Sequence, residues 1–244
     1  MKVVILCGGM GTRFWPRTQR IPKPLIRIGG KPILWHVLKF YERFGYRDFV
    51  LCLGYKGDLI RKYFRTHPET WNIDFAETGL ETPTGGRIKR IEHLIDGSRF
   101  LTTYADGLAN LRLDRLVRFH ERSAKVAAIT VVRPLSPFGI VTVDGNSSVL
   151  HFEEKPKMNQ WINGGFFVFS EEVFDHIEPD DVLERDVFEK LVKIDELVAF
   201  KHRGFWRCMD TYKDAAEFNE LAREKGVPWN TAIGDSGEPK GANT

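Results

Sequence analysis

Residues 1–25 read MKVVILCGGMGTRFWPRTQRIPKPL, and this stretch decides the fold. Val3, Val4, Ile5 and Leu6 form an apolar, largely β-branched run without alternation, the pattern of a strand buried on both faces of a parallel sheet. The run breaks into Gly8-Gly9-Met10-Gly11-Thr12-Arg13, so a glycine-rich loop opens at the carboxyl end of the strand, where open α/β sheets bind ligands. Glycines let a backbone come close to a ligand, and successive N–H groups form a nest for an anion. Arg13 and Lys23 add positive charge nearby, and phosphate is the expected guest.

Two other glycine loops are excluded by spacing. A P-loop needs four residues between its first glycine and Gly-Lys-Ser/Thr, and the dinucleotide fingerprint needs G-x-G-x-x-G leading directly into a helix. Here Gly11 is followed by Thr-Arg-Phe-Trp-Pro and then by Pro22 and Pro24 around Lys23, which predicts a long ordered loop. The flanking prolines restrict the backbone of Lys23 and suit it to a fixed contact.

Beyond that loop, the chain alternates strands and helices. Pro32 opens a predicted helix at its first position, with Leu34, Val37, Leu38 and Tyr41 on one face. A strand over 49–53 ends at Gly54-Tyr55-Lys56-Gly57, and a helix over 59–64 and a strand over 72–76 follow. The loop 82–87 leads into a helix containing Ile88, Ile91, Leu94 and Ile95, with Thr84 placed as its cap. The glycine pair Gly85-Gly86 is a second place where backbone can meet a ligand. A strand over 100–104 runs out at Ala105-Asp106-Gly107, and a carboxylate there is suited to hold Mg²⁺ on a triphosphate.

After an amphipathic helix bearing Leu113, Leu116, Val117 and His120, the rhythm changes. Residues 126–132, 138–143, 149–153 and 165–169 are extended stretches without helices between them, which predicts antiparallel strands. Helices over 170–176 and 185–194, a strand over 197–201 and a closing helix over 212–224 complete the reading.

Composition narrows the function classes. The 244 residues are 42% hydrophobic and 28% charged, enough for one large soluble domain, and no apolar run would span a bilayer. The amino terminus does not read as a secretion signal, so a cytoplasmic location is expected. A net charge of +3 and a pI near 8.7 fit local phosphate binding better than a nucleic-acid surface. Cys7, Cys52 and Cys208 have neither metal-ligand spacing nor an even count, and are expected to be reduced structural thiols.

G-G-x-G-T-R followed by P-K-P resembles the signature of the sugar-nucleotide pyrophosphorylases, nucleotidyltransferases that join a nucleoside triphosphate to a sugar 1-phosphate. The resemblance covers about residues 1–230 and is greatest to the glucose-1-phosphate cytidylyltransferases. It is carried by G-G-K-P-I-L-W-H (29–36), G-Y-K-G (54–57), T-G-G-R (84–87), N-G-G-F-F-V (163–168) and F-W-x-x-M-D-T (205–211). Ala105 stands where the family has glycine, and the stretch between Lys56 and Thr84 is shorter than in those cytidylyltransferases.

The resemblance implies an α/β fold with a Rossmann-like mixed, mainly parallel sheet flanked by helices and an antiparallel sugar-binding portion. Residues 1–125 would bind nucleotide and 126–230 the sugar phosphate within one domain, while 231–244 would be a mobile tail. It implies CTP and glucose 1-phosphate as substrates, or another nucleotide with a mannose or heptose 1-phosphate, and Mg²⁺ as cofactor. Arg13, Lys23 and Asp106 would be catalytic, with Asp106 and Asp210 on the metal. Nucleotide contacts would come from Leu6, Gly8, Gly9, Gly11, Thr12, Arg13, Lys23, Thr84, Gly85, Arg87 and Asp106. Sugar contacts would come from Gly139, Glu154, Lys155, Asn163 and Gly164. No nucleic-acid or membrane partner is expected, and a homo-oligomer is compatible with the pattern. Two rival classes remain at this point. A nicotinamide dehydrogenase should carry an acidic residue at the end of its second strand, where this chain has Gly54, and a nucleotide sensor need not keep both aspartates.

Overall fold

The structure is a computed structural model that describes residues 1–15, 17–223 and 227–230, with the side chain of Arg17 left out. The expected tail over 231–244 lies outside the described residues. The chain forms β1 (Val3–Leu6), the short pair β2 (Arg27–Ile28) and β3 (Lys31–Pro32), α1 (Ile33–Glu42), β4 (Asp48–Leu53), α2 (Gly57–Thr66), β5 (Asn72–Glu77) and α3 (Thr84–Lys89). It continues with β6 (Arg99–Tyr104), β7 (Gly107–Ala109), α4 (Leu113–Ser123), β8 (Ala127–Val132), β9 (Ile140–Val143), β10 (Val149–Glu153) and β11 (Ile162–Ser170). Helix α5 (Phe188–Lys193), β12 (Leu197–Lys201), β13 (Trp206–Cys208) and α6 (Tyr212–Arg223) close the fold.

Seven strands make one sheet in the order β12-β8-β11-β6-β1-β4-β5. Its two faces are set by alternation. Val3 and Ile5 of β1 join one core with Leu51, Leu101 and the α1 stripe, whereas Val4 and Leu6 join the other with Val50, Phe100, Phe167 and Phe188. Val3, Val4 and Ile5 are fully buried. Burial of such side chains is worth about 1.5–3 kcal/mol each, which fixes the register of β1 against β4 and β6.

The four extended stretches of the second half do pair antiparallel, β8 with β11 and β9 with β10, while β12, whose sense the sequence left open, lies parallel to β8. Between β11 and β12 the chain passes through α5 and reverses its sense, so β12 runs against β11 and with β8. Several sequence expectations need correction. Strands β9 and β10 leave the sheet as a separate antiparallel hairpin. Pro32 lies outside α1 with an extended ψ of 147°, pairing with Arg27. Thr84 does not cap α3: it is the first helical residue, and its hydroxyl is taken by Glu184 and the Leu183 amide. The predicted helix over 170–176 is a 3-10 segment over Glu171–His176, and that over 185–194 begins as a π-turn over Leu183–Val187. The long loop after β1 is ordered by 3-10 turns at Thr12–Phe14, Arg17–Gln19 and Lys23–Leu25.

Candidate active site

Leu6 and Tyr104 are register partners in β1 and β6, so the glycine loop and Asp106 emerge side by side. Strand β13 pairs with β7, and the Met209 amide donates to the Asp106 carbonyl at 2.9 Å. This pairing brings Asp210 to Asp106 across more than a hundred residues of chain. Lys23 lies between them, donating to Asp106 Oδ2 at 2.5 Å and to Asp210 Oδ1 at 2.8 Å, while Arg13 reaches Asp210 Oδ2 at 2.9 Å.

The charges tune one another. Burial pulls the Lys23 ammonium downward, but attraction and hydrogen bonding from Asp106 and Asp210 outweigh it and hold its pKa above the usual lysine value. Burial alone would raise the Asp210 carboxyl, and Lys23 and Arg13 keep it below the usual aspartate range. Burial, with the charges of Asp210 and Asp106, pushes the adjacent Cys208 thiol up to about 12.

Among the described residues no set of three or more His, Cys, Asp or Glu forms a metal cage. Two hard carboxylate oxygens nevertheless converge on one cationic centre, the Lys23 ammonium. Two carboxylates completed by substrate phosphates suit Mg²⁺, which is seldom held by protein alone. The donor set of Asp106 and Asp210 therefore fits Mg²⁺ arriving with a nucleotide.

Beside this cluster is a cavity of about 450 Å³ lined by Leu6, Gly8, Gly9, Gly11, Arg13, Lys23, Thr84, Arg87, Tyr104 and Asp106. Thr12 and Gly85 do not line it. Gly11 has a φ of +61°, which turns the loop back over Lys23. Arg87 lies beneath the loops with its guanidinium donating to the Leu53, Gly79, Gly8 and Leu80 carbonyls and the Thr78 hydroxyl, at 2.7–3.3 Å. It sits so close that a Cβ on Gly8 would be 2.1 Å from its Nη1. The arginine ties three loops together and is 4% exposed. Gly85 and Gly86 spend their close approach on the chain itself: a Cβ at either would lie 2.6 Å from the Asp181 carbonyl oxygen or 2.0 Å from that of Pro179.

The expected sugar residues lie outside this cavity. Gly139 and Glu154 meet across the hairpin, where a Cβ at Gly139 would be 2.9 Å from Glu154 Oε2. Glu154 and Lys155 have side chains 61% and 50% exposed and stand 3.5 Å apart. Asn163 accepts from the Gly165 amide at 2.8 Å, and the Gly164 carbonyl accepts from Trp206 Nε1 at 2.7 Å. Gly165, at φ +77°, lies against the Tyr104 ring at a β-bulge in β11.

Tyr104 and Glu184 were missed by sequence reasoning. Tyr104 donates to Glu184, whose other oxygen accepts from Thr84 at 2.8 Å. Burial, and then the charge of Glu184, keeps the Tyr104 phenol protonated. Tyr104 could have been found as the last residue of a strand beside Asp106. Glu184, eighty residues away, carries no local signal.

Residues 2–224 match the nucleotidyl transferase family, and the chain belongs to it. The chain is 41% identical to the probable glucose-1-phosphate cytidylyltransferase of Bacillus subtilis over 252 residues, covering 94% of this chain and 99% of that one. It is 39% identical to the glucose-1-phosphate cytidylyltransferase of Salmonella typhi, covering 95% and 99%. The solved structure of HddC from Yersinia pseudotuberculosis complexed with GMP-PN is similar at a TM-score of 0.70 and 25% identity, over 90% of this chain and 98% of that one. The chain is accordingly an enzyme that transfers a nucleotidyl group to a sugar 1-phosphate.

Proposed function

We propose that the nucleotide is CTP and the acceptor glucose 1-phosphate, giving CDP-glucose and pyrophosphate. The observation that carries this reading is near-full-length identity of about 40% to cytidylyltransferases of that name, in a chain that assembles Lys23, Asp106 and Asp210 at the glycine loop.

An oxygen of the sugar phosphate forms a bond to the α-phosphorus as the bond to the β-phosphate oxygen breaks, and pyrophosphate leaves with that electron pair. The nucleophile is already an anion, so no general base is needed. The protein supplies position and charge. The backbone N–H groups of the loop at Gly8, Gly9 and Gly11 receive the triphosphate, and Arg13 and Lys23 face the charge on the leaving group. Arg87 acts indirectly, by holding these loops in register. Asp106 and Asp210 would hold Mg²⁺, which when bound neutralises phosphate charge. Glu154 would take the sugar hydroxyls and Lys155 the incoming phosphate, with Gly139, Asn163 and Gly164 shaping that side. Among the described residues no helix is long and apolar enough to cross a membrane, and we place the reaction in the cytoplasm.

The test is a matrix of five nucleoside triphosphates against several sugar 1-phosphates, read as pyrophosphate release. CTP with glucose 1-phosphate should turn over fastest. A faster rate with another pair overturns the substrate assignment.

A further inference from the structure

A second cavity, of about 130 Å³, lies at the same edge of the sheet and shares no lining residue with the first. Arg133 follows β8, and His202 and Arg203 follow β12, so the carboxyl ends of this parallel pair form its walls. Trp161 lies beside Arg133, because its neighbour Ile162 pairs with Val132.

The chemistry of this cavity is one-sided. Arg133 Cζ lies over the Trp161 indole at 4.6 Å from the ring centre, with Arg203 Cζ at 5.6 Å and Lys201 Nζ at 5.8 Å. Lys157 also lines the cavity, and no carboxylate does. Among the described residues Arg133, Lys157, Lys201 and Arg203 make no ion pair and no side-chain hydrogen bond, and Arg133 Nε is buried without a partner. A guanidinium without carboxylate partners keeps its N–H fork available for phosphate oxygens. Each cation–π contact contributes only about 0.5–1 kcal/mol at such exposure, while like charges gathered around one ring repel. An anion would relieve the repulsion.

We propose that this is a binding site for phosphate-type oxyanions, separate from the nucleotide cavity. Its volume falls below the roughly 300–1,000 Å³ of pockets that bury whole drug-sized ligands, so it takes one or two phosphoryl groups and leaves a nucleoside outside. Inorganic pyrophosphate and the phosphate end of a larger metabolite share that chemistry.

The experiment is calorimetric titration of the full chain with inorganic pyrophosphate, at ionic strength held constant with NaCl and with CTP saturating. One pyrophosphate per chain should still bind. The Arg133→Gln/Arg203→Gln variant should bind it at least about tenfold more weakly, with turnover of CTP and glucose 1-phosphate unchanged. If the double variant fails to fold, Arg203→Gln alone, at an exposed side chain, should show weakening in the same direction. Inorganic phosphate binding as tightly as pyrophosphate assigns a site for a single phosphoryl group, and preference for pyrophosphate assigns a site for two. No binding beyond the CTP-displaced fraction, or equal binding by wild type and the folded variant, overturns the proposal.

Discussion

The glycine-loop edge and the β9–β10 hairpin are built in opposite ways. At the edge, buried strands carry the loops, Arg87 ties them from below, and Lys23 locks two carboxylates together. In the hairpin, Ile140, Val141, Val143, Val149, Leu150 and Phe152 are all 46–65% exposed, and the support is local, such as the Ser136 amide donating to the Pro156 carbonyl at 2.8 Å. The positions proposed to hold charge during nucleotidyl transfer are carried by buried strands and tied loops. The expected sugar contacts Glu154 and Lys155 are set where few buried contacts resist movement.

The largest effect that can break this contrast is on turnover. Asp106→Asn and Asp210→Asn should each lower kcat by about 10²–10³-fold with the fold intact, and Lys23→Met by about a hundredfold. Near-normal steady-state rates in a purified variant would return the triad to a structural role. Lys23→Met also has a pH signature. The depressed Asp210 carboxyl contributes stability that is present above the ordinary aspartate pKa and is lost as pH falls through its folded value. The stability gap between wild type and Lys23→Met should therefore narrow as a series of urea unfoldings is carried below the carboxylate range. A gap that stays constant would mean that Lys23 does not stabilise the ionised carboxyl.

A second way to sharpen the contrast is through Arg87. Replacing it with Met removes the donor of the Gly79 and Leu80 carbonyls and of the Thr78 hydroxyl, while the Leu53 and Gly8 carbonyls keep the Thr78 and Tyr55 amides, and should cost about 2–4 kcal/mol in urea unfolding. A loss under about 0.5 kcal/mol, the range of ordinary surface substitutions, would show that the loops hold themselves.

The smallest expected effect is chemical inertness at the edge. Burial raises the Cys7 thiol and pushes Cys52 and Cys208 up to about 12, so thiolate-specific probes at pH 8 should label the native chain far more slowly than the unfolded one. Fast labelling of any thiol in the native state would show that this edge opens.

Strands with continuous apolar runs were legible in the sequence. The reading of β1 matched its bounds at Val3–Leu6, because four successive buried side chains have no other home in this composition. Helix α4 was legible from its 3.6-residue stripe. The direction of β12 was not, since strand sense depends on the crossover and not on the strand's own residues. The meeting of Asp106 with Asp210 came from family resemblance, as nothing local to either residue specifies the β7–β13 pairing. Arg87 shows a different limit. Its charge reads as a ligand contact, but whether a guanidinium meets phosphate or carbonyl oxygens is decided by loops distant in sequence. The bond between Thr84 and Glu184 was illegible for the same reason, because it joins residues one hundred positions apart.

The division of labour between the two regions is tested most directly by calorimetry on Lys155→Ala, titrated first with CTP and Mg²⁺ and then with glucose 1-phosphate. Lys155 is exposed and, among the described residues, has Glu154 as its one ion-pair partner, so its removal should leave folding and CTP affinity unchanged. Glucose 1-phosphate binding should weaken by an amount on the order of 1.5–3 kcal/mol, the cost of one charge-assisted hydrogen bond. Loss of CTP affinity with intact glucose 1-phosphate binding would contradict the account.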